Sequence, residues 1–218
     1  MLQGVAIGDA VHRGLGLAAR AVGQWCDLFR PRGPHAPLAL ANRVARLPAA
    51  FFAPSGAQNV VAYGSALRHG VFDSALARVG DYLRSAEDVF FIIGLPQFGP
   101  ALCVKTNRVI SFSRPTAPRG AGLGDYSGVQ KRQTQSLMRN WPVSALLNPR
   151  DGGRGALPGD APGVAGGAGG WEVLLPAIAS VTLLPGDLAQ DDIGRTGVVA
   201  SSELTQLGWR LLVRQAGS

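Results

Sequence analysis

Residues 89–105 read Val-Phe-Phe-Ile-Ile-Gly-Leu-Pro-Gln-Phe-Gly-Pro-Ala-Leu-Cys-Val-Lys. Two runs rich in β-branched and aromatic residues flank a segment of Gly and Pro, which predicts two strands, Val89–Ile93 and Ala101–Lys105, joined by an irregular connection. The stretch lies without gaps over Val198–Arg214, with five identities in 17 positions: Val198, Gln206, Gly208, Leu211 and Val213. A Gly-Asp pair precedes each copy, Gly80-Asp81 and Gly186-Asp187, displaced by three residues relative to that alignment. Each copy thus predicts a turn led by Gly-Asp, a strand, a connection closing at a glycine, and a returning strand of alternating apolar residues. Chance similarity between two β meanders is the competing explanation. If the repeat holds, two copies cover part of each other's edges in a barrel or sandwich, and remaining edges invite a neighbouring subunit.

Outward from this stretch the β signal continues. Asn59–Tyr63, Val71–Phe72, Asp81–Leu83 and Arg108–Phe112 are further short strand candidates. Thr106-Asn107, between two alternating runs, predicts a tight hairpin turn. Ahead of them, Ile7, Val11, Leu15, Ala18, Val22, Trp25 and Phe29 recur in steps of three and four, which predicts one long amphipathic helix over residues 5–29. Its glycines weaken it by about 1 kcal/mol each, so it depends on packing, against its own barrel or another subunit. Pro31 and Pro34 end it, and residues 35–58 read as extended chain with one strand. Residues 115–136 and 148–170, dense in Gly and Pro, read as linkers that order against a partner, and Ser136–Leu147 as a helical turn or two interrupted at Trp141-Pro142. The predicted organisation is an N-terminal helix with its Pro-rich stop (1–34), a first β module (35–114), a loop-rich linker (115–170) and a second β module (171–218) that packs with the first.

Composition agrees with a mainly β protein of β-barrel or sandwich modules, one N-terminal helix and long Gly/Pro-rich loops. Of 218 residues 46% are hydrophobic, too many for a disordered chain, while 30 glycines and 15 prolines are too many for a helical bundle. Net charge is +7 and uneven: 17 Arg/Lys against 7 Asp/Glu in residues 1–150, then 4 against 7 in residues 151–218. All but two of the cations are Arg, which favours planar contacts to carboxylate or phosphate. Asp9, His12 and Arg13 break the apolar opening that a secretory signal needs, and no apolar run is long enough to span a bilayer, so synthesis in a cytoplasm and no membrane contact are expected.

Signs of catalysis are sparse. His12, His35 and His69 are scattered, and neither Cys26 nor Cys103 stands at zinc spacing, so no metal or cofactor is expected; both cysteines read as small buried hydrophobes. Gly14-Leu-Gly16-Leu-Ala-Ala19 lacks the preceding strand of a dinucleotide site, and no serine stands in a nucleophile elbow. Asp191-Asp192 and Glu87-Asp88 read as solvated turns. The cluster Arg30, Arg32, Arg43 and Arg46, close to Trp25 and Phe29, is assigned to subunit contacts together with Ile7, Val11 and Val22; nonspecific DNA contact in a lumen is its other use.

Leu184-Pro185-Gly186-Asp187-Leu188, Asp191-Asp192-Ile193-Gly194, Val198–Ser201 and Leu207–Val213 resemble β-barrel virion proteins of tailed bacteriophages, particularly small proteins of the neck and tail. Phe29-Arg30-Pro31-Arg32-Gly33 and Asn107-Arg108-Val109 are similar to segments of phage structural proteins. The resemblance implies a non-enzymatic homo-oligomeric ring, a head-tail connector, stopper or tail component of the virion. Its partners would be copies of itself and portal, adaptor or tail proteins. A basic nucleic-acid-binding module is the alternative, and a particle-associated hydrolase a third reading.

Overall fold

The computed structural model describes residues 2–54, 66–116, 134–147, 170–177 and 180–215. The described residues are mainly β, with one α-helix among them, α1 (Leu2–Val22), near the N-terminus. Its first six strands are β1 (Gln24–Phe29), β2 (Arg43–Phe52), β3 (Leu67–Val71), β4 (Tyr82–Arg84), β5 (Val89–Gly94) and β6 (Ala101–Lys105). They close into a barrel in the order β1-β2-β3-β6-β5-β4. The next six, β7 (Arg108–Pro115), β8 (Thr134–Leu147), β9 (Gly170–Leu175), β10 (Leu188–Asp191), β11 (Thr196–Thr205) and β12 (Gly208–Gln215), close in the order β7-β8-β9-β12-β11-β10. The second order is the first with every strand advanced by six, so the internal repeat extends to the topology of the whole barrel.

Both barrels are fastened at the same place. The ring closes where the first strand pairs with the fourth, β1 with β4 and β7 with β10. At that seam Arg30 donates from Nε and Nη2 to the two oxygens of Asp81, at 3.0 and 2.8 Å. Arg114 does the same to Asp187, at 2.7 and 2.9 Å. Each guanidinium also donates to a carbonyl five residues before the Asp, Leu76 O or Thr182 O. Each carboxylate further accepts a backbone N–H three residues before it, from Arg78 or Leu184. The glycines ahead of the Asp residues, Gly80 and Gly186, adopt φ of +90° and +92°, a conformation that disfavours any side chain. The carboxylates are buried and the guanidinium groups only partly so, and the contact holds the Arg30 and Arg114 pKa values above their ordinary value. Hydrogen bonds set the repeat register: Ile92 N–H donates to Asp81 O as Val199 N–H donates to Asp187 O. The gap-free alignment of Val89 on Val198 is two residues away from this, an even slip that keeps inward residues inward.

The first barrel has its own interior core, and a second cluster is shared between the barrels. In β5, Phe90 and Ile92 point into the first barrel, among Cys26, Leu28, Leu83 and Cys103. Phe91 and Ile93 point outward, and with Phe29, Tyr82 and Val104 they join the cluster that fills the second barrel. The run Val89–Ile93 is continuously apolar because it is covered on both faces. Tyr82 hydroxyl donates to Pro142 O at 2.8 Å, and its ring meets Trp141 edge-on at 5.9 Å. The β1–β2 connection follows the second barrel too: Trp141 Nε1 donates to Pro34 O, and His35 bridges to Arg139.

Several expectations are corrected. The helix ends at Val22 and Gln24–Phe29 is a strand. Residues four apart share parity on a strand as they share a face on a helix, so Trp25 and Phe29 fitted both periods. Gly23 makes the break, since a Cβ there would meet the Ala49 backbone at 2.7 Å. Ser136–Leu147 lies within strand β8, held between β7 and β9 and irregular at Asn140, whose φ is +57°. Thr106-Asn107 is no hairpin but the link between barrels. Thr106 N–H donates to Val89 O and Asn107 N–H to Val143 O, so each residue is fastened to its own side. The modules accordingly run from β1 to β6 and from β7 to β12, in place of 35–114 and 171–218 with a linker between. Of the predicted strand Val71–Phe72 only Val71 is in a strand, as the last residue of β3, and Asp81–Leu83 is shifted by one residue as β4. Asn59–Tyr63 and the Gly-rich residues 117–133 and 148–169 lie outside the described residues.

Removing either arginine strands a buried carboxylate. Arg30→Ala and Arg114→Ala are each expected to cost about 3–5 kcal/mol in urea unfolding, with Lys restoring only part because it cannot make the planar double contact. A cost below about 1 kcal/mol would contradict the seam assignment.

Candidate functional site: an interaction surface on the first barrel

The outer surface of the first barrel carries the residues that sequence singled out, but divides them. α1 packs on β2 and β3, and its buried residues are small: Gly8 faces Gln97 in the β5–β6 connection, Gly16 faces Asp73 after β3, and Ala19 is fully buried. A Cβ on Gly16 would stand 3.0 Å from Asp73 Cβ, and His12 Nδ1 hydrogen-bonds Ser74 Oγ at 2.6 Å. The apolar stripe expected to dock the helix lies one flank over. Val11 and Leu15 are half-buried, Ala18 is exposed, and Val22 is 77% exposed with Leu17 at 59%. The side chain of Ile7 lies outside the described residues. Small residues let the helix approach closely, which leaves the larger ones uncovered.

Below the end of α1, the outward residues of β2, β1 and β4 form a second patch. Trp25, 60% exposed, has the Arg46 guanidinium 5.7 Å from its ring centroid. Asp27 pairs in register with Arg46 on one side and Arg84 on the other. Its carboxylate lies 3.7 Å from Arg43 Nη1 and 3.7 Å from Arg84 Nη2, too long for hydrogen bonds, and Asp27 Oδ1 is buried without a hydrogen-bond partner. Arg84 also stands over the Phe29 ring at 4.7 Å.

Of the residues assigned to subunit contact, the structure thus brings Trp25, Arg43 and Arg46 onto one face and leaves Val11 and Val22 on the helix flank. It removes two. Phe29 is fully buried: it faces out of the first barrel, as Trp25 and Asp27 do, but is covered by the cluster that joins the two barrels. Arg30 is committed to Asp81. Arg32 is exposed in the β1–β2 connection. Arg84 was missed, because only the closing β1–β4 pairing brings residue 84 beside residue 27.

Elsewhere the polar groups are structural. Asp191 is buried, accepts N–H bonds from Ile193 and Arg195, and binds Arg195 Nε at 2.7 Å, so it caps a hairpin; the solvated-turn reading fits its exposed neighbour Asp192 alone. Asp88 pairs with Lys105 rather than with solvent alone. Among the described residues no group of three or more His, Cys, Asp or Glu is placed to hold a metal ion. A cleft of about 120 Å³ lies between the barrels against Arg30, Asp81 and Trp141, and one of about 270 Å³ against Arg108, Trp171 and Arg195. The arginines that hydrogen-bond a carboxylate in these clefts, Arg30 and Arg195, are spoken for. The Ser74–His12 pair lines neither, and it ties the helix to the β3–β4 connection.

Both cysteines are free and buried. Burial first, and the neighbouring Asp27 second, push the Cys26 thiol up to about 11; burial alone pushes Cys103 higher still. The unfolded chain therefore loses these protons first, starting near the ordinary value of 9.0. Stability is expected to fall as pH rises through this window, by roughly 1 kcal/mol per pH unit per thiol, and to be insensitive to the thiols below it. Cys26→Ala and Cys103→Ala should flatten the decline in alkaline denaturation, and neither native thiol should react with a thiol reagent at pH about 8.

Compared with models of protein families, with curated proteins and with solved structures, the chain matches none.

Proposed function

We propose that the protein is a non-enzymatic structural component of a tailed-phage particle, part of the neck or tail, where it acts as a homo-oligomeric ring element. Portal, adaptor or tail proteins of the virion would be its further neighbours. The reading joins the sequence resemblance to one observation: α1 leaves a flank of apolar residues, Leu17, Ala18 and Val22, open to solvent on a domain whose barrels already have cores. Exposed apolar surface of this kind is what a protein-protein contact covers. The route to assembly differs from the one expected from sequence. In closed barrels every named strand has a partner on both sides, so no edge among them is offered to a neighbour. Association has to use side-chain faces, and the helix flank is the apolar one. Two barrels locked by a shared core make a rigid unit for such a ring.

Light scattering on the purified full chain tests this. A defined oligomer is expected, reduced to monomer by the pair Leu17→Asp and Val22→Asp with unchanged thermal unfolding of the barrels. A monomeric wild-type chain across the micromolar range, missing from purified particles by mass spectrometry, would contradict it.

A further inference from the structure

We propose that the outward face of β2–β1–β4 is a contact site for single-stranded nucleic acid, with phosphates on Arg43, Arg46 and Arg84 and a base stacked on Trp25. The inference rests on this barrel face and is independent of the assembly reading.

The arginines of the fold differ in how they are used. Arg30, Arg114, Arg195 and Arg210 each donate hydrogen bonds to a carboxylate. On the β2–β1–β4 face, among the described residues, Arg43, Arg46 and Arg84 donate none. Their only acid among the described residues is Asp27, held at 3.7 Å from two of them, close enough to attract and too far to occupy their N–H groups. Three guanidinium groups therefore keep their donor forks for an incoming anion, at a net charge of plus two over the four residues.

Position favours a nucleic acid over a small anion. Asp27 sits in register between Arg46 and Arg84, so the cations run across three adjacent strands and form a track instead of a pocket. Trp25 closes one end of it. Among the tryptophans it is the exposed one; Trp141, Trp171 and Trp209 are buried. An accessible indole beside a row of arginines is the pairing of stacking platform and backbone contact that binds single strands without sequence preference. The closed barrel presents no helix to enter a duplex groove here, so base-specific reading of a duplex is not expected.

The same exposed indole provides the readout. The full-length protein is titrated with labelled oligothymidylate while Trp emission is followed, at several salt concentrations. Binding is expected with quenching, and with a log K against log salt slope of about −2 for three phosphates. Trp25→Phe should weaken binding and abolish the quench. The triple variant Arg43→Gln, Arg46→Gln, Arg84→Gln should lose binding, whereas Arg13→Gln, Arg20→Gln, Arg139→Gln, which removes equal charge elsewhere, should keep it. If the triple variant fails to fold by circular dichroism, the three single variants replace it, each lowering the slope by about 0.7. Equal loss in both triples would reduce the effect to net charge and overturn the proposal. So would absence of binding at low salt, tighter binding to a duplex than to the single strand, or polyglutamate binding as well as the oligonucleotide, which would mark an acidic protein as the partner. Because oligomeric state is not the readout, failure here leaves the ring proposal standing, and the converse holds.

Discussion

A sheet becomes a barrel only when its first strand finds its last neighbour, and in this chain that step depends on an arginine meeting a buried aspartate. The partners are 51 residues apart in one barrel and 73 in the other. Such closure orders much chain before contacts repay it. The double hydrogen bond fixes register as well as proximity, because a planar fork fits a carboxylate in one orientation. Around each pair the chain repeats the same surroundings, a left-handed glycine, a backbone N–H and a carbonyl, so the device is an assembled unit and not an isolated ion pair. Burying a charge is costly, and here both oxygens of each carboxylate have a donor.

Once both barrels are closed, their relation is set by which outer faces are apolar. β5 carries large apolar residues on both sides and is covered on both. Its counterpart β11 runs instead into Ser201, Ser202 and Glu203, with one face toward solvent. The same logic explains the helix: its small residues Gly8, Gly16 and Ala19 let it lie close against the first barrel, and the uncovered Val22 and Leu17 follow from it. Function is left to surfaces, the helix flank for protein and the arginine track for phosphate.

Much of the fold was legible because local pattern and tertiary context agreed. The runs at Val89 and Ala101, the duplicated Gly-Asp and the single N-terminal helix are signals carried by consecutive residues. What failed was non-local. Phe29 and Trp25 satisfied helical and strand spacing equally, and only the close approach of Gly23 to Ala49 separates them. Thr106-Asn107 has the composition of a turn, but composition does not tell whether the strands it joins pair with each other. Arg84 belongs to the candidate surface through the barrel seam, which no local pattern displays. The repeated Arg-Pro, at 30–31 and 114–115 ahead of the repeated Gly-Asp, was the available signal for the seam device.

Amide hydrogen exchange in Arg114→Ala tests the closure account most directly. The β7–β10 ladder should exchange by an opening easier than global unfolding, while the β11–β12 ladder keeps the protection of the whole barrel. If both ladders lose protection together, or neither changes, the seam is not held by this pair and the account is wrong.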